Sequence, residues 1–157
     1  MKIPAFAFVG GKMEAQEYLQ QIGKCDRLIE NKKFEIMEMR NSASLQTGFS
    51  CDTRVQTTKR PDRAENIIVG YIEREAELQE DIVKFWELRQ GIIKTIELLN
   101  VKEYGVLYCL YVEGLDLRET AERFDRSYNW AAQTKKKGLD SLQKILDERE
   151  KHELQNC

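Results

Sequence analysis

The stretch Leu117–Leu142, LRETAERFDRSYNWAAQTKKKGLDSL, decides the fold. Asp116, just before it, is a good N-cap, because a short carboxylate can accept from the free amides that open a helix. Leu117, Thr120, Ala121 and Phe124 then return at spacings of three and four, which lays an apolar stripe along one short helix. Asp125 and Arg126 interrupt that stripe. Ser127 offers a hydroxyl to cap a second helix, whose inward positions are Trp130, Ala131 and Thr134. The small Ala121 and Ala131 suit a close crossing of the two. Tyr128, Asn129, Ala132, Gln133, Lys136 and Lys137 are left facing outward, a mixture of side chains that pair with base edges and side chains that meet phosphate. The pattern predicts a helix-turn-helix.

Charge placement agrees with that reading. The chain carries a net charge of only −2, so it is not a polycation that would coat nucleic acid indiscriminately. Residues 103–125 hold two basic and six acidic side chains, whereas 126–144 hold five basic and one acidic. A basic run on a helix is often no more than a solvated face, but this one coincides with the motif.

The segment FDRSYNWAAQTKKKGLDSL resembles region 4 of sigma-70-type transcription factors, a helix-turn-helix that reads promoter DNA. Counting from Ser127 at the capping position, Ala131 falls on the inward aliphatic position four residues later. Lys137, Gly138, Leu139 and Leu142 follow the trailing basic-small-Leu-x-x-Leu pattern. The chain departs from that pattern at Gly138, usually Ala, and at Trp130, a bulky residue where polar ones are common. The resemblance implies binding to double-stranded DNA, with Tyr128, Asn129 and Gln133 at base edges and Arg126, Ser127, Lys135, Lys136 and Lys137 at phosphates. It also implies RNA polymerase as a possible partner. It spans about 101–146, less than a third of the chain.

Upstream the pattern becomes heptad. Tyr18, Ile22, Cys25, Ile29, Ile36 and Met39, with Lys32 filling the missing place, predict a long amphipathic helix over 12–40. Residues 41–60 lose the pattern and contain seven Ser or Thr, which reads as a linker, with Lys59, Arg60 and Arg63 near phosphate-binding chemistry at its end. Pro61 suits a first helical position. Ile68, Tyr71, Glu75, Leu78, Ile82, Phe85, Arg89, Ile92, Ile96 and Leu99 then keep a heptad. A helix over 62–99 would extend about 57 Å at 1.5 Å per residue, too long to stand alone. The earlier helix supplies a partner, giving an antiparallel hairpin that could also pair two chains as a homodimer. Glu75 and Arg89 fall on the seam, where charge is costly unless paired, so they are candidates for setting register.

The expected architecture is all-α. A flexible tail at 1–11 is followed by a coiled-coil-like hairpin at 12–100, a helix-turn-helix domain at 101–149 with Tyr104, Leu107, Tyr108 and Tyr111 in its core, and a frayed end. The four cysteines lie far apart with no C-x-x-C pair and the one histidine is in the charged tail, so neither a zinc site nor a disulfide framework is signalled. No cofactor is expected, and no set of acid, base and nucleophile suggests an enzyme. The opening IPAFAFVGG is too short to span a bilayer, so no membrane association and a cytoplasmic location in a bacterial cell are expected. By overall layout the chain resembles small sigma-like and late-gene regulators of bacteriophages and prophages. A DNA-packaging role of the small-terminase kind and a helical adaptor without DNA contact are the alternatives.

Overall fold

The computed structural model describes residues 13–48 and 61–155, all of whose regular structure is helical. The tail at 1–11, the stretch 49–60 with Lys59 and Arg60, and the last two residues lie outside the described residues. The helices are α1 (Ala15–Gly48), α2 (Pro61–Ile96), α3 (Val101–Tyr111), α4 (Leu117–Arg123) and α5 (Tyr128–Gln155). Pro61 does open α2, where its missing N–H costs nothing. α1 runs eight residues past the boundary that loss of the heptad suggested. The Ser and Thr residues there weaken periodicity without breaking the backbone ladder, and the Ser44 hydroxyl donates to the Asn41 carbonyl at 2.9 Å, within the helix.

The chain divides into two compact units, one formed by Arg27–Trp86 and the other by the parts before and after it. Within the first, Ile29, Ile36 and Leu78 are buried, as the heptads require. Three ion pairs within this unit join α1 to α2: Lys32 to Asp81 at 2.8 Å, Glu35 to Arg74 at 3.0 Å, and Arg40 to Glu75. Residues later in α1 meet residues earlier in α2, so the two helices run in opposite directions. Arg40 holds the Glu75 carboxyl below its ordinary range, and Lys32 does the same for Asp81. Such surface pairs are screened by solvent and contribute little, so the apolar stripe holds the helices together.

The second unit contains the start of α1, the end of α2 and the three shorter helices. Leu19, Ile22, Ile92, Ile96, Leu107 and Leu142 are fully buried in it, each worth about 1.5–3 kcal/mol relative to exposure. A small polar network lies at this core. The Thr95 hydroxyl donates to the Gly91 carbonyl at 2.9 Å, which leaves its lone pairs to accept from Arg149 at 2.9 Å and to meet the Tyr18 hydroxyl at 3.0 Å. The Gln143 side chain accepts from the Ala15 amide at 2.7 Å and donates to the Met13 carbonyl at 3.2 Å. These bonds fasten the second half of α5 to the beginning of α1 and the end of α2. Arg89 meets Asp26 at 2.7 Å, so the second charge expected on the seam is also paired. No buried side-chain nitrogen or oxygen among the described residues lacks a partner.

Candidate nucleic-acid interface

α3 begins where Asn100 accepts from the Glu103 amide at 3.0 Å and ends before Gly114, whose φ of 73° is a conformation that glycine adopts without strain. Asp116 then forms a complete capping box: its carboxylate accepts from the Glu119 amide and its own amide donates to the Glu119 carboxylate, both at 2.8 Å. α4 is short, and its inward residues Thr120 and Ala121 are buried. Asp125 stands in the left-handed region with φ 51°, which a short polar side chain tolerates, and the Arg126 amide reaches back to the Ala121 carbonyl at 2.9 Å to close the turn. Ser127 accepts from the Trp130 amide at 3.2 Å and starts α5.

The inner face of α5 is built from Ala131, Thr134, Gly138 and Leu142, all buried. Thr134 satisfies its hydroxyl on the Trp130 carbonyl at 2.8 Å. Gly138 has a steric reason: a Cβ there would lie 3.0 Å from Leu107 Cδ1 and 3.2 Å from its Cγ, so α3 and α5 approach more closely than alanine would comfortably allow. Gly105 plays the matching part on α3, since a Cβ there would come within 2.7 Å of Phe124 Cζ. The Phe124 ring thus lies against the α3 backbone and packs on Trp130 with centroids 5.6 Å apart. Trp130 is half-buried, with the Arg126 guanidinium 6.0 Å above its ring.

The outer face carries Asn129, Gln133, Lys136 and Lys137 in one exposed row, and Asp140 continues it. Tyr128 is exposed at the first turn, off to one side of the row, and Arg126 is exposed in the preceding turn. Ser127 has its hydroxyl engaged as the helix cap. Lys135 stands apart from its neighbours: it is half-buried and its ammonium lies 5.9 Å over the Tyr111 ring. The eight residues singled out from the sequence therefore divide into an exposed row of four, two residues at the turn, one cap and one lysine packed on an aromatic. Three residues that shape the face were overlooked or noticed only in passing. Gly105 and Gly138 set how closely the helices approach, and Asp140, seven residues after Gln133, places a negative charge in the row.

Elsewhere in this unit, burial pushes the thiols of Cys25 and Cys109 and the Tyr111 hydroxyl above their ordinary pKa ranges, which makes these groups poor nucleophiles. Among the described residues no group of three His, Cys, Asp or Glu side chains converges in a way that could hold a metal ion. No described helix is long and apolar enough to cross a membrane. Comparison with protein-family models, with curated proteins and with solved structures gives no match.

Proposed function

We propose that this protein is a sequence-specific regulator of transcription that binds double-stranded DNA, with α4 and α5 acting as a helix-turn-helix and the exposed row of α5 entering the major groove. The observation that carries the reading is the division of α5 into two faces. Ala131, Thr134, Gly138 and Leu142 are buried on one side, and Asn129, Gln133, Lys136 and Lys137 are exposed on the other, just after a four-residue turn. Asn129 and Gln133 have the amide geometry to pair bidentately with adenine, worth about 1–3 kcal/mol of discrimination per well-formed contact. Lys136, Lys137 and Arg126 supply sequence-independent attraction to phosphate. The resemblance of 101–146 to sigma region 4 favours promoter DNA as the target and RNA polymerase as a partner. The oppositely running ion pairs between α1 and α2 support an antiparallel hairpin ahead of this module.

The test is selection of bound duplexes from a random pool, followed by Gln133→Ala on the enriched site. Enrichment of a defined motif, with Gln133→Ala relaxing preference at one position, supports the proposal. Failure to enrich any motif, or equal binding to enriched and random duplexes, overturns sequence-specific reading. Co-purification with RNA polymerase distinguishes a transcription role from packaging, for which ring-shaped oligomers are expected.

A further inference from the structure

In the Arg27–Trp86 unit the helix pair has two unlike broad faces. The ion pairs identify them: Arg40–Glu75 marks one, and Glu35–Arg74 with Lys32–Asp81 marks the other. The second face is laced with charge, since Arg74 also meets Glu77 and Lys84 also meets Asp81. On the first face α2 presents Val69, Ile72, Ala76, Gln79, Val83 and Trp86, spaced three, four, three, four and three. This is a second heptad, displaced by one residue from the stripe that packs on α1, and no charged side chain interrupts it. It is open: Val69, Ile72, Val83 and Trp86 are 50%, 63%, 53% and 55% exposed. A helix with two apolar stripes needs two partners, and α1 fills only one of them.

Charge decides what covers the second. Along the outer edge of this face α2 carries Glu73 and Glu80. On the α1 side the same face shows Lys33, the exposed Met37 and Arg40. One edge is therefore acidic, while the other carries Lys33 and Arg40 together with Glu30, one heptad before Met37, and the heights of the two basic side chains match those of the glutamates. Arg40 is level with Glu75, and Lys32 with Asp81. A second copy, turned about a twofold axis parallel to the helices, brings its Arg40 over Glu73 and its Lys33 over Glu80, within about two residues or roughly 3 Å of helix rise. A twofold axis across the helices instead sets glutamate over glutamate. Lys33 pairs with Glu30 and Glu80 with Lys84 inside their own helices, but such exposed pairs are weak and leave the charges available.

We propose that this face is the dimer interface of the protein, closed by a second copy of the same chain with the twofold axis parallel to α1 and α2. The proposal stands independently of the DNA reading.

Sedimentation equilibrium of the full chain in the micromolar range tests it. The unaltered chain is expected to be a dimer. Ile72→Glu or Val83→Glu, which places like charges from both copies in an apolar seam, should raise the dissociation constant at least about a hundredfold while leaving helicity by circular dichroism unchanged, since both side chains are exposed in the single chain. Glu77→Gln, on the opposite face, should leave dimerisation intact. Glu80→Lys and Lys33→Glu, both surface changes, should each weaken self-association about tenfold, and mixing the two variants should restore it, because each hybrid contact again joins opposite charges. A monomeric unaltered chain at 100-micromolar order, or a dimer indifferent to Ile72→Glu and Val83→Glu, overturns the interface. A mixture no tighter than the separate variants overturns the axis.

Discussion

Replacing Lys135 and Lys136 one at a time by alanine separates two residues that adjoin in sequence but not in environment. The Lys136 ammonium is exposed in the row with Gln133, whereas Lys135 is half-buried over the Tyr111 ring. If Lys136 neutralises one phosphate, its loss lowers the slope of log affinity against log salt by about 0.9. Between 50 and 200 mM salt that slope corresponds to a difference of about 3.5-fold in how steeply affinity falls. Lys135→Ala is expected to leave the slope unchanged and to cost about 0.5–1 kcal/mol of folding stability through the lost contact with the ring. Fluorescence anisotropy with one labelled duplex over a salt series gives both slopes, and urea titration gives the stabilities. Equal reduction of the slope by the two variants, or none from Lys136→Ala, would refute the assignment of the exposed row as the DNA-facing side.

Three further outcomes follow from the structure. Gly23→Ala and Gly91→Ala meet open space in helix interiors, so each should stabilise by up to about 1 kcal/mol and raise the melting temperature by about 2–4 °C in a calorimetric scan. Gly105→Ala, whose Cβ would lie 2.7 Å from Phe124 Cζ, should lose about 1–2 kcal/mol despite better helix propensity and should shift tryptophan emission as Phe124 is pushed off Trp130. Because Glu75 and Asp81 have lowered carboxyl pKa values in the folded chain, their contribution is present above the ordinary carboxylate range and lost as pH falls through the folded values. Melting temperature should therefore decline less steeply on acidification for Glu75→Gln with Asp81→Asn than for the unaltered chain.

Much of the fold is legible in the spacing of apolar residues, because a helix that buries one face must repeat it. Tyr18, Ile22, Cys25, Ile29 and Ile36 are buried as their heptad requires, and Ser127, Ala131 and Thr134 occupy the cap and inward positions that their chemistry suggests. Features that depend on partners from distant parts of the chain are harder to read. Lys135 looks like one of three equivalent lysines until Tyr111 from α3 is placed beside it. Nothing in the sequence marks a partner for Gln143 or Arg149, yet they bond to Met13, Ala15 and Thr95. The stripe Val69–Trp86 is present in the sequence, but its neighbour at 68–85 accounts for the amphipathic pattern first, and only the position of α1 shows that one of the two is left uncovered. Gly138 looked like a departure from a motif, and Leu107 supplies its reason.

The compact unit that carries α3, α4 and α5 is discontinuous in sequence, interrupted by Arg27–Trp86 and anchored through Met13, Ala15 and Thr95. A fragment starting at Val101 would discard the partners of Gln143 and Arg149. The interruption has the opposite property. Lengthening or shortening both long helices in matched steps of seven residues keeps every apolar position on its side and leaves the anchored unit untouched. The helix pair of Arg27–Trp86 can therefore change length in such steps without removing any partner of Gln143 or Arg149.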